Sequence, residues 1–274
     1  IIIFGSSGML GNQVVKCFLK DKRFKVYEMN RKKRGKSIKI NLEKKKQLIE
    51  KINLINPDYV VNCIGWIKQK KTNKMTAYLV NSQFPLLLSK LAIILNFKLI
   101  HISTDCVFSG LKGNYLDSDF KDARDLYGFS KNLGEVKNQN SCTLRTSIIG
   151  PETSKKKFGL LEWFLSQKIK IKGYDMVFFS GLTTIELSKV IKKYLFNKGL
   201  YNQILNVSSK SISKYELLKI IKHIFKKDIK IERSSKIRLN RSLNSLKFRK
   251  ITGYKCPSWK KMINELNLTY KNKL

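Results

Sequence analysis

The chain has 274 residues, 42% of them hydrophobic and 11% aromatic, and 56 basic side chains against 19 acidic ones give a formal net charge of +37. This length supports a substantial buried core in one large domain or two closely joined ones, and no uninterrupted apolar run reaches the roughly 18–20 residues of a membrane span. Five scattered cysteines fit neither a disulfide framework nor a zinc cluster, so the expectation is a reduced, cytoplasmic protein without a metal site.

The opening "IIIFGSSGMLGNQVVKCFLK" is an apolar strand, a glycine turn, and a helix with apolar residues at Leu10, Val14, Val15, Phe18 and Leu19. The strand begins at once with no initiator Met, so a few preceding residues are expected to be missing. Further strands are predicted at 24–29, 59–65, 97–104 and 142–150, and helices at 42–52, at 75–95 with Pro85 as a break or first-turn position, and from about 125 to 136. Continuous apolar strands alternating with helices predict an α/β fold of the Rossmann type, a doubly wound parallel sheet covered on both faces. In the second half, helices are predicted at 183–195 and 213–225 and a strand at 203–209. Ser213 and Glu216 form a capping box for the last of these helices. The expected division is a dinucleotide-binding part over 1–150, joined by 183–209, and a smaller substrate-binding part made of 151–182 and 210–274.

Lysines are spread along the whole chain, as AT-rich coding would leave them, and this argues against a nucleic-acid surface. Residues 105–135 depart from the trend, with six acids against four bases. Chemistry or specific contacts are expected to hold that segment.

"GSSGMLG" follows the first strand and opens a helix. Glycines allow a tight turn and close backbone approach, while the helix N-terminus presents free N–H groups to a pyrophosphate. Gly5, Ser7, Gly8, Met9, Leu10 and Gly11 are therefore expected at a dinucleotide. After the second strand comes "NRKKR", where an acid would select NAD and a base the 2′-phosphate of NADP. Asn30 and Arg31 favour NADPH, with NADH as the alternative.

Three copies of Tyr-x-x-x-Lys occur, at Tyr127/Lys131, Tyr194/Lys198 and Tyr215/Lys219. The first lies 23 residues after Thr104, which ends a strand in "HISTDCVFSG". The other two lie in amphipathic helices with no such motif upstream and are read as packing or surface, as are His101 and His223.

With the glycine loop, "STDCVFSG" and "YGFSKNLGE" resemble the extended short-chain dehydrogenase/reductase family, and within it the dTDP-4-dehydrorhamnose reductase group. "VVNCIG", "VNSQFP", "LRTSIIG" and "RSLNSLKF" extend the resemblance over nearly the full length. It implies NADPH-dependent reduction of a nucleotide-linked 4-keto-6-deoxyhexose for surface-polysaccharide precursors. Tyr127 would be the proton donor, Thr104 would hydrogen-bond the same oxygen, and Lys131 would lower the tyrosine pKa and hold the nicotinamide ribose; Asp105 would lie beside them. The resemblance also implies cofactor contacts at Asn41 and Leu42 and at Cys63, Ile64 and Gly65, and substrate contacts at Trp66, Lys68, Gln69, Phe108 and Arg241. The sequence departs from the group in Ser242, which replaces a proline, and in "GWIKQKK" after the third strand, which leaves the hexose open. A nucleotide-sugar epimerase or dehydratase with recycled cofactor, or a non-catalytic regulatory subunit on the same fold, are the rival readings. The expected partners are a small nucleotide sugar and, at most, a second copy of the chain, with no nucleic acid or membrane.

Overall fold

The computed structural model describes residues 1–68, 73–153 and 158–271; Gln69 lies outside them. Strands β1 (Ile2–Phe4), β2 (Tyr27–Asn30), β3 (Ile38–Lys39), β4 (Tyr59–Asn62), β5 (Lys98–Thr104) and β6 (Ser141–Thr146) join a later strand, β11 (Ile204–Asn206), in one seven-stranded sheet. The order is β11-β6-β5-β4-β1-β2-β3, and every pairing is parallel. Chain order reverses between β1 and β4, and this crevice beyond the strand ends is where open α/β sheets bind ligands.

The period-two alternation of a strand explains how one sheet serves two cores. Ile3, Val61 and Ile100 enter the larger core, while their neighbours Ile2, Val60 and Leu99 enter the other. Helix α1 (Met9–Leu19) supplies Leu10, Val14, Val15 and Phe18 to the first face. Helices α2 (Lys45–Ile55) and α4 (Phe84–Ile94) supply Leu48, Ile52, Phe84, Leu88 and Leu91 to the second. The result is a helix–sheet–helix sandwich.

The predicted helix at 75–95 runs through Pro85 without a break. Helix α3 (Lys74–Tyr78), a π turn over Leu79–Gln83 and α4 form one continuous stretch, Lys74–Ile94, with Pro85 in the first turn of α4. It is 21 residues long, an 18-residue window of it has a mean hydropathy of 1.3, and it matches a membrane span in length and composition. Within the fold it is a core helix: Phe84, Leu88, Leu91 and Ala92 pack into the second core, and Asn81 and Ser82 both bond to Ser130 of the next helix, α5 (Leu126–Leu133).

The predicted strand at 142–150 divides into β6 and the short β7 (Ile148–Ile149). After α6 (Leu160–Ser166), β8 (Lys170–Tyr174) pairs in parallel with β13 (Lys230–Ser234), and β9 (Val177–Phe179) sits between β12 (Ile212–Ser213) and β14 (Leu239–Asn240). Strand β10 (Leu182–Thr183) pairs with β7 and leads into α7 (Thr184–Tyr194), which packs on α1. Ser213 caps α8 (Lys214–Ile224) by accepting from the Glu216 N–H at 3.1 Å, which is the hydroxyl half of the expected box. Helices α9 (Leu246–Thr252) and α10 (Trp259–Lys271) end the described chain. Tyr194 is buried in the first core, edge-on to Phe248 and Tyr254.

Candidate active site

The carboxyl ends of five neighbouring strands carry the sequence-predicted residues. Gly5 follows β1, Asn30 ends β2, Asn41 and Leu42 follow β3, Cys63 to Gly65 follow β4, and Thr104 ends β5. At the glycine loop a Cβ on Gly11 would lie 2.2 Å from the Gly5 carbonyl oxygen, so only glycine lets α1 start this close to the turn. Gly8 caps α1 with no side-chain bond, and among the described residues its first-turn N–H groups have no side-chain partner. Such a cradle fits a dinucleotide pyrophosphate.

Asn30 does something the sequence did not suggest. Its amide donates to Ser6 Oγ at 2.6 Å and its oxygen accepts from the Ser7 N–H at 2.8 Å, so it staples β2 to the glycine loop. The neighbouring Arg31 is exposed, and so is Asn41, whose side chain accepts from the Glu43 N–H. Leu42 packs partly against the second core. Thr153 reaches over the loop and donates to the Ser7 carbonyl oxygen at 2.5 Å.

Thr104 and Tyr127 are brought together by a close contact of chain segments. A Cβ on Gly128 would lie 2.1 Å from the Cys106 carbonyl oxygen, so the glycine after Tyr127 is what allows α5 to lie against the Asp105–Val107 turn. Asp125 caps α5 by accepting from the Gly128 N–H at 3.0 Å and pairs with Lys68 at 3.0 Å. Lys68 is thereby held at the start of the helix that carries Tyr127. The Tyr127 phenol lies beside Thr104. Thr104 Oγ1 lies 3.1 Å from Asp105 Oδ1 and accepts from the Cys106 N–H.

The rest of "YGFSKNLGE" is scaffold. Ser130 accepts from the Asn81 amide, and its carbonyl oxygen accepts from Ser82. Asn81 also grips both backbone polar groups of Trp66, which is 7% exposed. Glu135 receives Arg145 Nε and Nη2 at 2.7 and 2.8 Å, together with the Ser103 hydroxyl.

Electrostatically the site differs from the expected Tyr–Lys couple. Burial drives the Tyr127 phenol well above its ordinary value; the neighbouring Cys106 pushes the same way, and the nearby Thr104 hydroxyl opposes. Lys131 is buried and donates to the Ile102 carbonyl oxygen at 2.7 Å. Burial lowers its ammonium to about 8 against the pull of Glu135 and Cys63. Asp105 is pushed up by burial despite Arg241 and Lys214 nearby, and burial lowers Lys214 in turn to about 8.

One side chain needs correction and two were missed. Phe108 is fully buried and stacks on Tyr115 at 4.2 Å with an interplanar angle of 9°, so its ring belongs to a small core. Arg241 donates to the Phe108 carbonyl oxygen at 2.9 Å and lies 3.5 Å from Cys106 Sγ, which turns it toward the Asp105 turn. Lys214, unremarkable in a lysine-rich sequence, sits 4.1 Å above the Phe179 ring and faces the same turn. His101, expected to be packing, lies with Nε2 3.5 Å from Lys131 Nζ; an apolar-strand histidine gives no sequence signal of that contact.

The family model for the RmlD substrate binding domain matches residues 1–160, more than half of the chain. The chain belongs to this family. The dTDP-4-dehydrorhamnose reductase of Aggregatibacter actinomycetemcomitans is 28% identical over 154 residues, 54% of this chain and 50% of that protein. The chain thus spans about half the length of the curated relatives it matches. Among solved structures, a hypothetical dTDP-4-dehydrorhamnose reductase from Sulfolobus tokodaii is 25% identical with a TM-score of 0.80, covering 94% of this chain and 97% of that one. The Bacillus anthracis dTDP-4-dehydrorhamnose reductase in complex with NADP superposes with a TM-score of 0.84 at 21% identity, covering 98% of each chain, and shares the family's fold.

Proposed function

We propose that this RmlD-family chain is a cytoplasmic, NADPH-dependent reductase of a nucleotide-linked 4-keto-6-deoxyhexose, acting as a monomer or homodimer. The observation that carries the reading is the packing of α5, with Tyr127 and Lys131 one turn apart, against the turn that follows Thr104, in a sheet whose first strand opens into a glycine loop. A dinucleotide held there would supply the hydride. Tyr127 supplies the proton to the C4 oxygen as negative charge builds there, and Thr104 donates a hydrogen bond to that oxygen. A phenol whose burial keeps it protonated suits a proton donor. Gly5, Ser7, Gly8, Met9, Leu10 and Gly11 would hold the pyrophosphate, Arg31 the 2′-phosphate, and Cys63, Ile64 and Gly65 the dinucleotide beyond β4. Residues 1–150 with 183–209 would form the dinucleotide part. The stretches 151–182 and 210–274 would receive the sugar nucleotide, with Trp66, Lys68 and Arg241 near it. The names of the Aggregatibacter and Bacillus relatives support the substrate class, and the NADP in the latter supports the cofactor.

A panel of dTDP-, UDP- and GDP-linked 4-keto sugars, assayed with NADPH and NADH at the nicotinamide absorbance, tests this. Stoichiometric NADPH consumption with alcohol formation is expected; product without net consumption would establish an epimerase or dehydratase instead.

A further inference from the structure

The small sheet β12-β9-β14 delivers two cations to the turn that follows Thr104. In its register Phe178 of β9 pairs with Ser213 of β12 on one side and with Asn240 of β14 on the other. The next residue along each outer strand is basic: Lys214, which opens α8, and Arg241. The Asn240 N–H donates to the Gly110 carbonyl oxygen at 2.7 Å, and Arg241 Nε to that of Phe108 at 2.9 Å. Lys214 reaches over β9 and sets Nζ 4.1 Å above the buried Phe179 ring. Both cations act on Asp105. The protein does not balance them. Among the described residues Lys214 forms no hydrogen bond or ion pair. Arg241 bonds a neutral carbonyl and lies 3.5 Å from Cys106 Sγ, a thiol that burial pushes up to about 12. The carboxyls facing the pair are Asp125 and Asp105. The first is already taken by Lys68 and the Gly128 N–H, and burial pushes the second up. By contrast, the equally inward Arg145 is met by Glu135 on two nitrogens.

We propose that Lys214 is a substrate-binding residue that, opposite Arg241, clamps the diphosphate of the nucleotide sugar. This rests on the proposed function and adds the side chain that supplies the second charge. A diphosphate spreads more than one negative charge over two phosphoryl groups, so cations from two separate strands can each take one. The Phe179 ring beneath the ammonium holds it in place without neutralising it. An anion held there is tethered beside the turn that follows Thr104, where the sugar has to react. The dinucleotide pyrophosphate is served elsewhere, because the glycine loop ends β1 and β4 lies between β1 and β5.

Calorimetric binding of dTDP, UDP and GDP to the full chain tests this independently of turnover. For the diphosphate that binds wild type, Lys214→Met is expected to weaken affinity by about tenfold or more, with NADPH affinity kept within about twofold. Lys214→Arg keeps the cation and is expected to stay within about threefold of wild type. Burial lowers Lys214 to about 8, so wild-type affinity for the diphosphate should fall above that pH, while the arginine variant stays level. The titratable groups that act on Lys214 are Asp105 and Cys106, and Lys131 has a similar value of about 8. All three are present in both proteins, so a difference between the profiles belongs to Lys214. Unchanged diphosphate affinity in Lys214→Met, an equal loss of NADPH affinity in that variant when folded, or indistinguishable pH profiles for wild type and Lys214→Arg overturns the proposal. If Lys214→Met does not fold, the comparison with Lys214→Arg decides. Wild-type protein that binds none of the three diphosphates would overturn the proposed function along with this inference, whereas diphosphate binding that ignores Lys214 overturns this inference alone.

Discussion

Glu135 and Arg145 form a bidentate ion pair with both side chains 1% exposed, joining the end of the α5 motif to β6. The pair also receives the Ser103 hydroxyl, and Arg145 donates to the Asp117 carbonyl oxygen, so each charge is matched by hydrogen bonds. Removing one partner strands the other in a dry interior, at a cost of about 3–5 kcal/mol. Glu135→Ala should therefore lower the denaturation midpoint steeply and by more than Lys112→Ala, whose pairing with Asp119 is at the surface. Urea titrations of the two variants check this.

Gly11→Ala tests the dinucleotide cradle. The added methyl meets the Gly5 carbonyl oxygen at 2.2 Å, and backbone on both sides leaves nothing flexible to yield. The expected outcome is loss of NADPH binding by at least tenfold in fluorescence titration, with the helix content largely kept, because α1 is anchored by Val14, Val15 and Phe18 further along.

Much of this site is legible in the sequence because strand ends of a parallel sheet converge, and a strand end is visible as an apolar run meeting glycine or a polar residue. Thr104 and the glycine loop are of that kind. The unread parts depend on contacts between distant segments. Nothing local tells that Asn30 braces Ser6 and Ser7, or that His101 in an apolar run looks sideways at Lys131. Phe108 misleads because a loop aromatic beside a catalytic motif suits a sugar, yet Tyr115 seven residues later folds back to stack on it. Pro85 suggests a break, but the first turn of a helix tolerates proline, and the π turn before it lets Asn81 and Ser82 face α5.

Arg31 follows β2 on an exposed stretch of bases. If it reads the 2′-phosphate, Arg31→Ala should raise the KM for NADPH about tenfold and leave that for NADH within about twofold, since one charge-assisted contact contributes ~1.5–3 kcal/mol. Equal changes for both cofactors would assign Arg31 to the general positive field of the surface.

Tyr127→Phe keeps the ring and its packing but deletes the transferable proton. The reductive rate is expected to fall by about 10²–10⁴ while NADPH binding stays within about twofold. Single-turnover absorbance and cofactor titration separate the two effects. Retained turnover would remove the tyrosine from the chemistry.

Lys131→Met separates stability from function by its pH dependence. The lysine falls from an ordinary 10.5 to about 8 on burial, so between those values the unfolded chain binds more protons than the folded one. Stability contributed at this position therefore rises as pH climbs from about 8 toward 10.5, and below 8 the full cost of burying the charge is present. Replacing the side chain with methionine removes that cost and gives up the bond to the Ile102 carbonyl oxygen. The variant is expected to be catalytically dead yet more stable than wild type by ~1–2 kcal/mol at pH 7, an advantage that shrinks toward zero by pH 10. Urea denaturation at pH 7, 8.5 and 10 reads the difference. A constant offset across that range would mean that Lys131 is an ordinary cation in the folded protein.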